Sequence, residues 1–165
     1  MCIKNTEDYI KFRDNELYIE DVKEFNRKLV DKYSFLLPTN DFDGCLPDNY
    51  DYEFTWLDDM PDGWRIAFGD EMVDRINQEL VRCNFKDYKI CQIKEKFGGL
   101  RWYDYGAPLD SKINDIIREY EDLSFRVCID CGKPSKYMTL GWTVPLCADC
   151  AKKFKDIELR ELKWD

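Results

Sequence analysis

Residues 128–150 read CIDCGKPSKYMTLGWTVPLCADC. Two Cys-x-x-Cys pairs, Cys128/Cys131 and Cys147/Cys150, are separated by 15 residues. In each pair both sulfurs can turn toward one ion, and two such pairs can close a tetrahedron. The chain contains no histidine, so a metal here must be held by thiolates and carboxylates alone. Four thiolates around zinc leave no open position, which points to one structural Zn ion rather than a catalytic one. Gly132 follows the first pair, where a tight knuckle needs a residue without a Cβ. Residues 135–146 fit a small hairpin through Gly141, and the segment after Cys150, AKKFKDIELRELKWD, has a helical pattern. Cys147 and Cys150 then sit at a helix N-terminus, where the dipole favours thiolates. Knuckle, hairpin and helix look like a treble-clef or zinc-ribbon module. Redox chemistry or a pair of disulfides is the competing reading, but no thioredoxin-like βαβ pattern surrounds the pairs. Asp130 and Asp149 are expected to face solvent. Cys2, Cys45, Cys83 and Cys91 have no partner at ligand spacing; Cys83 and Cys91 read as buried thiols, and Cys45 lies in a loop.

Upstream, residues 110–124 read as a helix capped by Asp110 or Ser111, with Ile113, Ile116, Ile117, Tyr120 and Leu123 facing inward. Residues 88–105, YKICQIKEKFGGLRWYDY, read as a hairpin with Gly98-Gly99 as its two-residue turn. That turn pairs Phe97 with Leu100 and Lys96 with Arg101. One face then carries Cys91, Ile93, Phe97, Leu100 and Trp102 and is core-like despite Glu95. The other carries Gln92, Lys94, Lys96, Arg101, Tyr103 and Tyr105. Like charges directly opposite destabilise a sheet, so a nearby anion would suit the second face. Three readings follow: a solvated face, a cover provided by the chain's own acidic segment 41–62, or an external anion or partner held by Lys94, Lys96, Arg101, Tyr103 and Tyr105. Arginine forks and tyrosine faces suit phosphate and base stacking.

Residues 64–82 form the clearest helical stripe: Trp64, Phe68, Met72, Ile76 and Leu80, widened by Ala67, Val73 and Val81, with Asp62 as N-cap. Residues 39–63 hold eight acidic and no basic residues and read mostly as loop, with a short strand at 50–57 suggested by Tyr50, Tyr52, Phe54 and Trp56 alternating. Thr6 to Leu37 reads as helical, ended by Pro38. The fold class is α+β: helices packed on a β-hairpin or small antiparallel sheet, with a core domain over 1–125 and the four-cysteine zinc module over 126–165.

The 165 residues carry 34 acidic and 25 basic side chains, a formal charge of -9. Residues 1–75 hold 19 acidic and 9 basic residues, and residues 76–165 hold 15 and 16, so the acidity belongs to the N-terminal half. Lack of histidine excludes a Ser-His-Asp triad, a Cys-His pair and an HExxH zinc hydrolase. No apolar run resembles a signal peptide or approaches the roughly 20 residues of a membrane span, so a cytoplasmic protein is expected. A carboxylate-based, divalent-metal enzyme would have to draw on Asp41, Asp43, Asp58 and Asp59, or on a cation gathered by Asp58, Asp59 and Asp62.

In order, PDGW leading a helix, QIKEKFGGLRWY, a helix with YEDLS, then CIDCGKP, GWTVPLC and ADC together resemble a family of small uncharacterised phage, prophage and bacterial proteins. That family is marked by a KEKFGGLRFY-like stretch followed by a cysteine-pair zinc module. The resemblance covers roughly residues 60–151, and it implies a phage-type accessory protein with Cys128, Cys131, Cys147 and Cys150 as ligands. The resulting expectation is a non-enzymatic, zinc-stabilised protein that binds a host macromolecule, with a protein ahead of nucleic acid because the mean charge is negative. Recognition of a nucleotide or nucleic acid by the hairpin is the alternative.

Overall fold

The computed structural model describes residues 3–39, 45–154 and 156–164. Helix α1, Thr6–Phe12, starts at Asn5, whose Oδ1 accepts the Asp8 N–H at 2.8 Å. The single helix expected over 6–37 is instead broken. Asn15 takes an extended conformation and its Oδ1 accepts the Leu17 N–H at 3.0 Å, which starts a 3₁₀ turn at Glu16–Tyr18. An asparagine side chain competes with the helical ladder in this way. Helix α2, Ile19–Lys32, follows and buries Val22, Asn26 and Val30.

The strand expected at 50–57 is absent. Tyr52 has φ +70°, a left-handed conformation incompatible with a strand. The alternating aromatics gather instead: the Tyr50 ring lies 5.2 Å from Tyr52 and 5.5 Å from Phe54. A 3₁₀ turn at Trp56–Asp59 follows, closed by Asp58 Oδ2, which accepts the Thr55 N–H at 2.7 Å and the Thr55 hydroxyl at 3.0 Å.

Three consecutive pieces then run on along one path: α3 (Asp62–Trp64), a π-helical turn (Arg65–Gly69) and α4 (Asp70–Arg82). Asp62 is the first helical residue rather than the cap, and it pairs with Arg13 at 2.9 Å. Trp64, Phe68, Met72, Val73, Ile76 and Leu80 are buried as their spacing requires, whereas Ala67 and Val81 face solvent. The large core assembles on this stripe, with Leu36, Leu57 and Met60 from before it and Ile90, Ile93, Leu100, Trp102, Ile113 and Tyr120 from beyond it.

Strands β1 (Ile90–Lys96) and β2 (Gly99–Asp104) form the expected antiparallel hairpin, with a register two residues away from the expected one. Lys96 pairs with Gly99, and Lys94 pairs with Arg101. The turn residues are Phe97 and Gly98, at φ +55° and +82°, the pair of positive values that a type I′ turn demands. Glu95 Oε1 fixes this turn by accepting the Gly98 N–H at 2.6 Å. A slip of two keeps every residue on its face, so Ile93, Leu100 and Trp102 are buried as expected. Phe97 moves from the expected core face to the exposed tip.

Helix α5, Ile113–Ser124, closes the outer edge of β2: the Leu100 N–H donates to Ser124 Oγ at 2.8 Å and the Trp102 N–H to Glu121 Oε1 at 3.1 Å. Neither Asp110 nor Ser111 is its N-cap. Lys112 holds that position, and Glu79 on α4 accepts the Lys112 N–H at 3.0 Å. Ile113, Ile116, Ile117 and Tyr120 are buried, while Leu123 is exposed.

At the C-terminal end, β3 (Tyr137–Thr139) pairs with β4 (Pro145–Leu146) through a turn at Gly141, as the spacing suggested. The long helix expected after Cys150 is only α6, Ala148–Ala151. The chain then returns as β5 (Leu159–Glu161) on the free edge of β3, making a sheet of order β4-β3-β5. The edge of β3 needed backbone partners: Leu140 donates to Glu158 O and Leu162 to Lys136 O, both at 2.8 Å.

Candidate metal centre and hairpin face

The first knuckle is built by the backbone around Cys128. Its N–H donates to Lys133 O at 2.8 Å and its carbonyl accepts the Gly132 N–H at 3.0 Å, with Gly132 at φ +75°. The second is built by α6, with Cys147 as its N-cap and the Cys150 N–H directed at Cys147 Sγ at 3.4 Å. The four sulfurs of Cys128, Cys131, Cys147 and Cys150 all lie within 4.8 Å of one another, and Cys131 Sγ is 3.6 Å from Cys147 Sγ. A tetrahedron with Zn–S bonds of about 2.3 Å has sulfur–sulfur edges of about 3.8 Å. The cluster therefore matches a four-coordinate thiolate site in residue type, number and spacing. All four are free cysteines rather than disulfides, and three of them are buried.

Their electrostatics are unequal. Burial alone would raise Cys147, but the Cys150 backbone N–H, the Cys131 thiol and the Asp149 backbone outweigh it and hold the thiol down at about 7. Burial pushes Cys131 up, and it pushes Cys150 up together with the neighbouring cysteines. Four thiols this close compete for ionisation, and a dication is the species that lets all four ionise together. Asp130 and Asp149 are exposed, and Asp149 pairs with Lys152 and Lys133 instead of entering the cluster.

The first knuckle is pressed onto the start of α3. The Gly63 N–H donates to Ile129 O at 2.8 Å, and Trp64 Nε1 donates to Val127 O at 3.1 Å. A Cβ on Gly63 would stand 2.1 Å from Cys128 O and 2.6 Å from Ile129 O. PDGW and CIDCGKP, 65 residues apart between Gly63 and Cys128, are therefore two sides of one contact.

On the hairpin, the register puts Lys94, Lys96, Arg101 and Tyr103 on one face, and Tyr105 lies one residue beyond β2. Tyr103 and Tyr105 are exposed, and Lys94 Nζ lies 5.4 Å from the centre of the Tyr103 ring. The like-charged pair directly opposite is Lys94 with Arg101 rather than Lys96 with Arg101. Among the described residues, no carboxylate pairs with Lys94, Lys96 or Arg101. Four described carboxylates of the acidic segment are engaged elsewhere: Asp51 and Glu53 with Lys23 at 2.7 and 3.8 Å, Asp58 with Arg65 at 2.7 Å and Asp62 with Arg13 at 2.9 Å.

Asp41 and Asp43 lie outside the described residues, as does Cys2. Asp58 is held by Arg65, Tyr9 and Thr55, and Asp59 is raised by burial and by Asp58 beside it. Among the described residues, the four cysteines are the group of potential ligands that comes together. Cys83 and Cys91, expected as buried, are half-buried, and Cys45 is exposed.

Two features were not foreseen. Arg65 is wholly buried in the π turn, with its Cζ 4.3 Å from the centre of the Tyr9 ring. The tips of the two hairpins also meet, with Gly98 packed against Thr143 and Met138, and they present Phe97 and Trp142 to solvent. The one sign of this tip in the sequence is Gly98, and the adjacent Gly99 makes Gly98-Gly99 look like the turn pair in place of Phe97-Gly98.

Comparisons with protein-family models, with curated proteins and with solved structures returned no match. No helix among the described residues is long and apolar enough to cross a membrane.

Proposed function

We propose that Cys128, Cys131, Cys147 and Cys150 hold one zinc ion and that the protein is a non-enzymatic, zinc-stabilised binding protein. The observation that carries this reading is the four-sulfur cluster, complete in ligands, with three of its four cysteines buried. Cysteine ligands saturate the ion, so the metal's contribution is to folding. The fold it secures sets the hairpin and the β3–β4 turn side by side, and the partner is a macromolecule that meets the outer face through Lys94, Lys96, Arg101, Tyr103 and Tyr105. Thiolate ligands need a reducing compartment, which fits the cytoplasm. A phage-type accessory role rests on the resemblance of residues 60–151 alone.

A protein partner was expected because of the net charge of -9. The pairing pattern favours an anionic partner instead: Asp51, Asp58 and Asp62 of the acidic segment pair with Lys23, Arg65 and Arg13, while Lys94, Lys96 and Arg101 of the hairpin have no carboxylate partner among the described residues. Metal analysis of the protein purified without added metal should return one zinc per chain, and cobalt substitution should give the absorption of a tetrahedral thiolate site. A chain that is folded and free of metal would overturn the reading.

A further inference from the structure

The chain has nine arginines. Six of them, Arg13, Arg27, Arg65, Arg75, Arg82 and Arg118, pair with carboxylates at 3.3 Å or less. The other three, Arg101, Arg126 and Arg160, have no carboxylate partner among the described residues. These three come from the hairpin, the end of α5 and the last strand, yet they gather in one place. Arg126 and Arg160 line a groove of 620 Å³ between the end of α5 and the β3–β5 side of the small sheet. Phe125 also lines this groove, and both its ring and Arg101 Nη1 reach to within 3.0 Å of the point where a Gly99 side chain would begin. Arg101 thus joins the groove to the outer face of the hairpin.

The same region collects the exposed rings. Trp164 lines the groove, with its ring centre 5.2 Å from Arg126 Cζ. Met138 lines it too and extends it to the hairpin tips, where its Sδ packs on Gly98. There Phe97 and Trp142 are 76% and 79% exposed and flank a pocket of 210 Å³ together with Lys96. Glu119 and Asp122 also border the groove, but Glu119 is taken up by both guanidinium nitrogens of Arg75, at 2.9 and 2.7 Å.

Resting on the binding-protein reading above, we infer that this groove and the two hairpin tips bind a single-stranded nucleic acid. The phosphates are met by Arg101, Arg126 and Arg160, and unpaired bases stack on Trp164, Trp142 and Phe97. Guanidinium forks match phosphate oxygens, and unpaired cations beside exposed flat rings are the combination that holds a single strand without sequence readout. A duplex offers its phosphates but not the faces of its bases. An acidic peptide satisfies the arginines but leaves the rings unused.

Fluorescence anisotropy of the zinc-loaded protein tests this, using a labelled single strand of about 12 nucleotides. A matched duplex and a labelled poly-glutamate peptide serve as comparisons, with zinc content measured on every sample. The single strand should bind at least tenfold more tightly than either comparison. With about -0.7 per neutralised phosphate, the slope of log affinity against log salt should be about -2. R126E/R160E should weaken binding more than tenfold and flatten that slope, W142A/W164A should weaken it about tenfold with the slope kept, and R118E, an exposed ion-paired arginine elsewhere, should change nothing. One zinc per chain without saturable strand binding overturns this inference alone, as does equal or tighter binding of the peptide or the duplex, or equal loss in R118E. Absence of zinc from the folded protein overturns the earlier reading instead.

Discussion

Two buried clusters flank the short segment from Asp58 to Arg65, and they solve opposite problems. On one side Arg65, with no exposed side-chain area, pairs with Asp58 at 2.7 Å and stacks over Tyr9. The Tyr9 hydroxyl donates to the same Asp58 oxygen at 2.9 Å and accepts from Asn26 at 3.1 Å. On the other side Gly63 and Trp64 press against the first knuckle, whose Cys128 and Cys131 gather with Cys147 and Cys150 of α6. The first cluster balances its charge with the chain's own side chains, although Arg65 Nε, Arg65 Nη2 and Asn26 Oδ1 have no hydrogen-bond partner among the described residues. Among the described residues the second has no cationic side chain paired with its sulfurs: Lys133 and Lys152 pair with Asp149. The difference separates a part of the fold that its own side chains complete from a part that, on the proposed reading, an ion completes.

The sharpest break in this comparison is Cys128→Ser. Structural zinc binding is worth roughly 10–16 kcal/mol apparent, against whole-domain stabilities of about 5–15 kcal/mol. The variant should lose the ion and the order of the β4-β3-β5 sheet, seen as loss of dispersed amide resonances beyond residue 126. Asp58→Ala comes next. It strands the buried guanidinium, and breaking a buried pair from one side costs about 3–5 kcal/mol. Denaturant melts should show that loss, with zinc still bound one per chain. Tyr9, which burial and the Asp58 charge hold well above the usual phenol range, should titrate closer to its ordinary value in that variant.

Gly63→Ala tests the contact between the clusters. Its Cβ would overlap the Cys128 and Ile129 carbonyls, and such overpacking costs about 1–3 kcal/mol. Unlike Asp58→Ala, it should also weaken zinc affinity, because it moves the backbone of a ligand. Equal zinc affinity in the two variants would remove the contact from the account. The smallest effect belongs to Asn5→Ala, which removes the α1 cap and should cost about 1 kcal/mol with no change at the metal.

The cysteine site was legible because its ligands are local in sequence: two pairs at fixed spacing, with Gly132 where the knuckle turns. The helical stripe of Trp64 to Leu80 was legible for the same reason, and so were the faces of the hairpin, which survive a slip of two residues. What failed depended on distant partners or on single residues. Asn15 breaks a pattern that reads as one helix. Tyr52, in a left-handed conformation, turns an alternating aromatic run into a cluster. The Glu95 bond to Gly98 moves the turn back by one residue. Leu159–Glu161 has the composition of a charged helix and becomes a strand because β3 has an open edge. That misreading also hid the groove, since Arg160 and Trp164 reach Arg126 only once the chain has returned as β5.

The central claim is that an ion completes the C-terminal region and only that region. Amide spectra recorded before and after removal of metal by a strong chelator under reducing conditions test it directly. The account predicts one zinc released per chain, loss of the dispersed signals of residues 126–164, persistence of those from α2 and α4, and full recovery when zinc is returned. Unchanged spectra from a chelated, metal-free chain would contradict it.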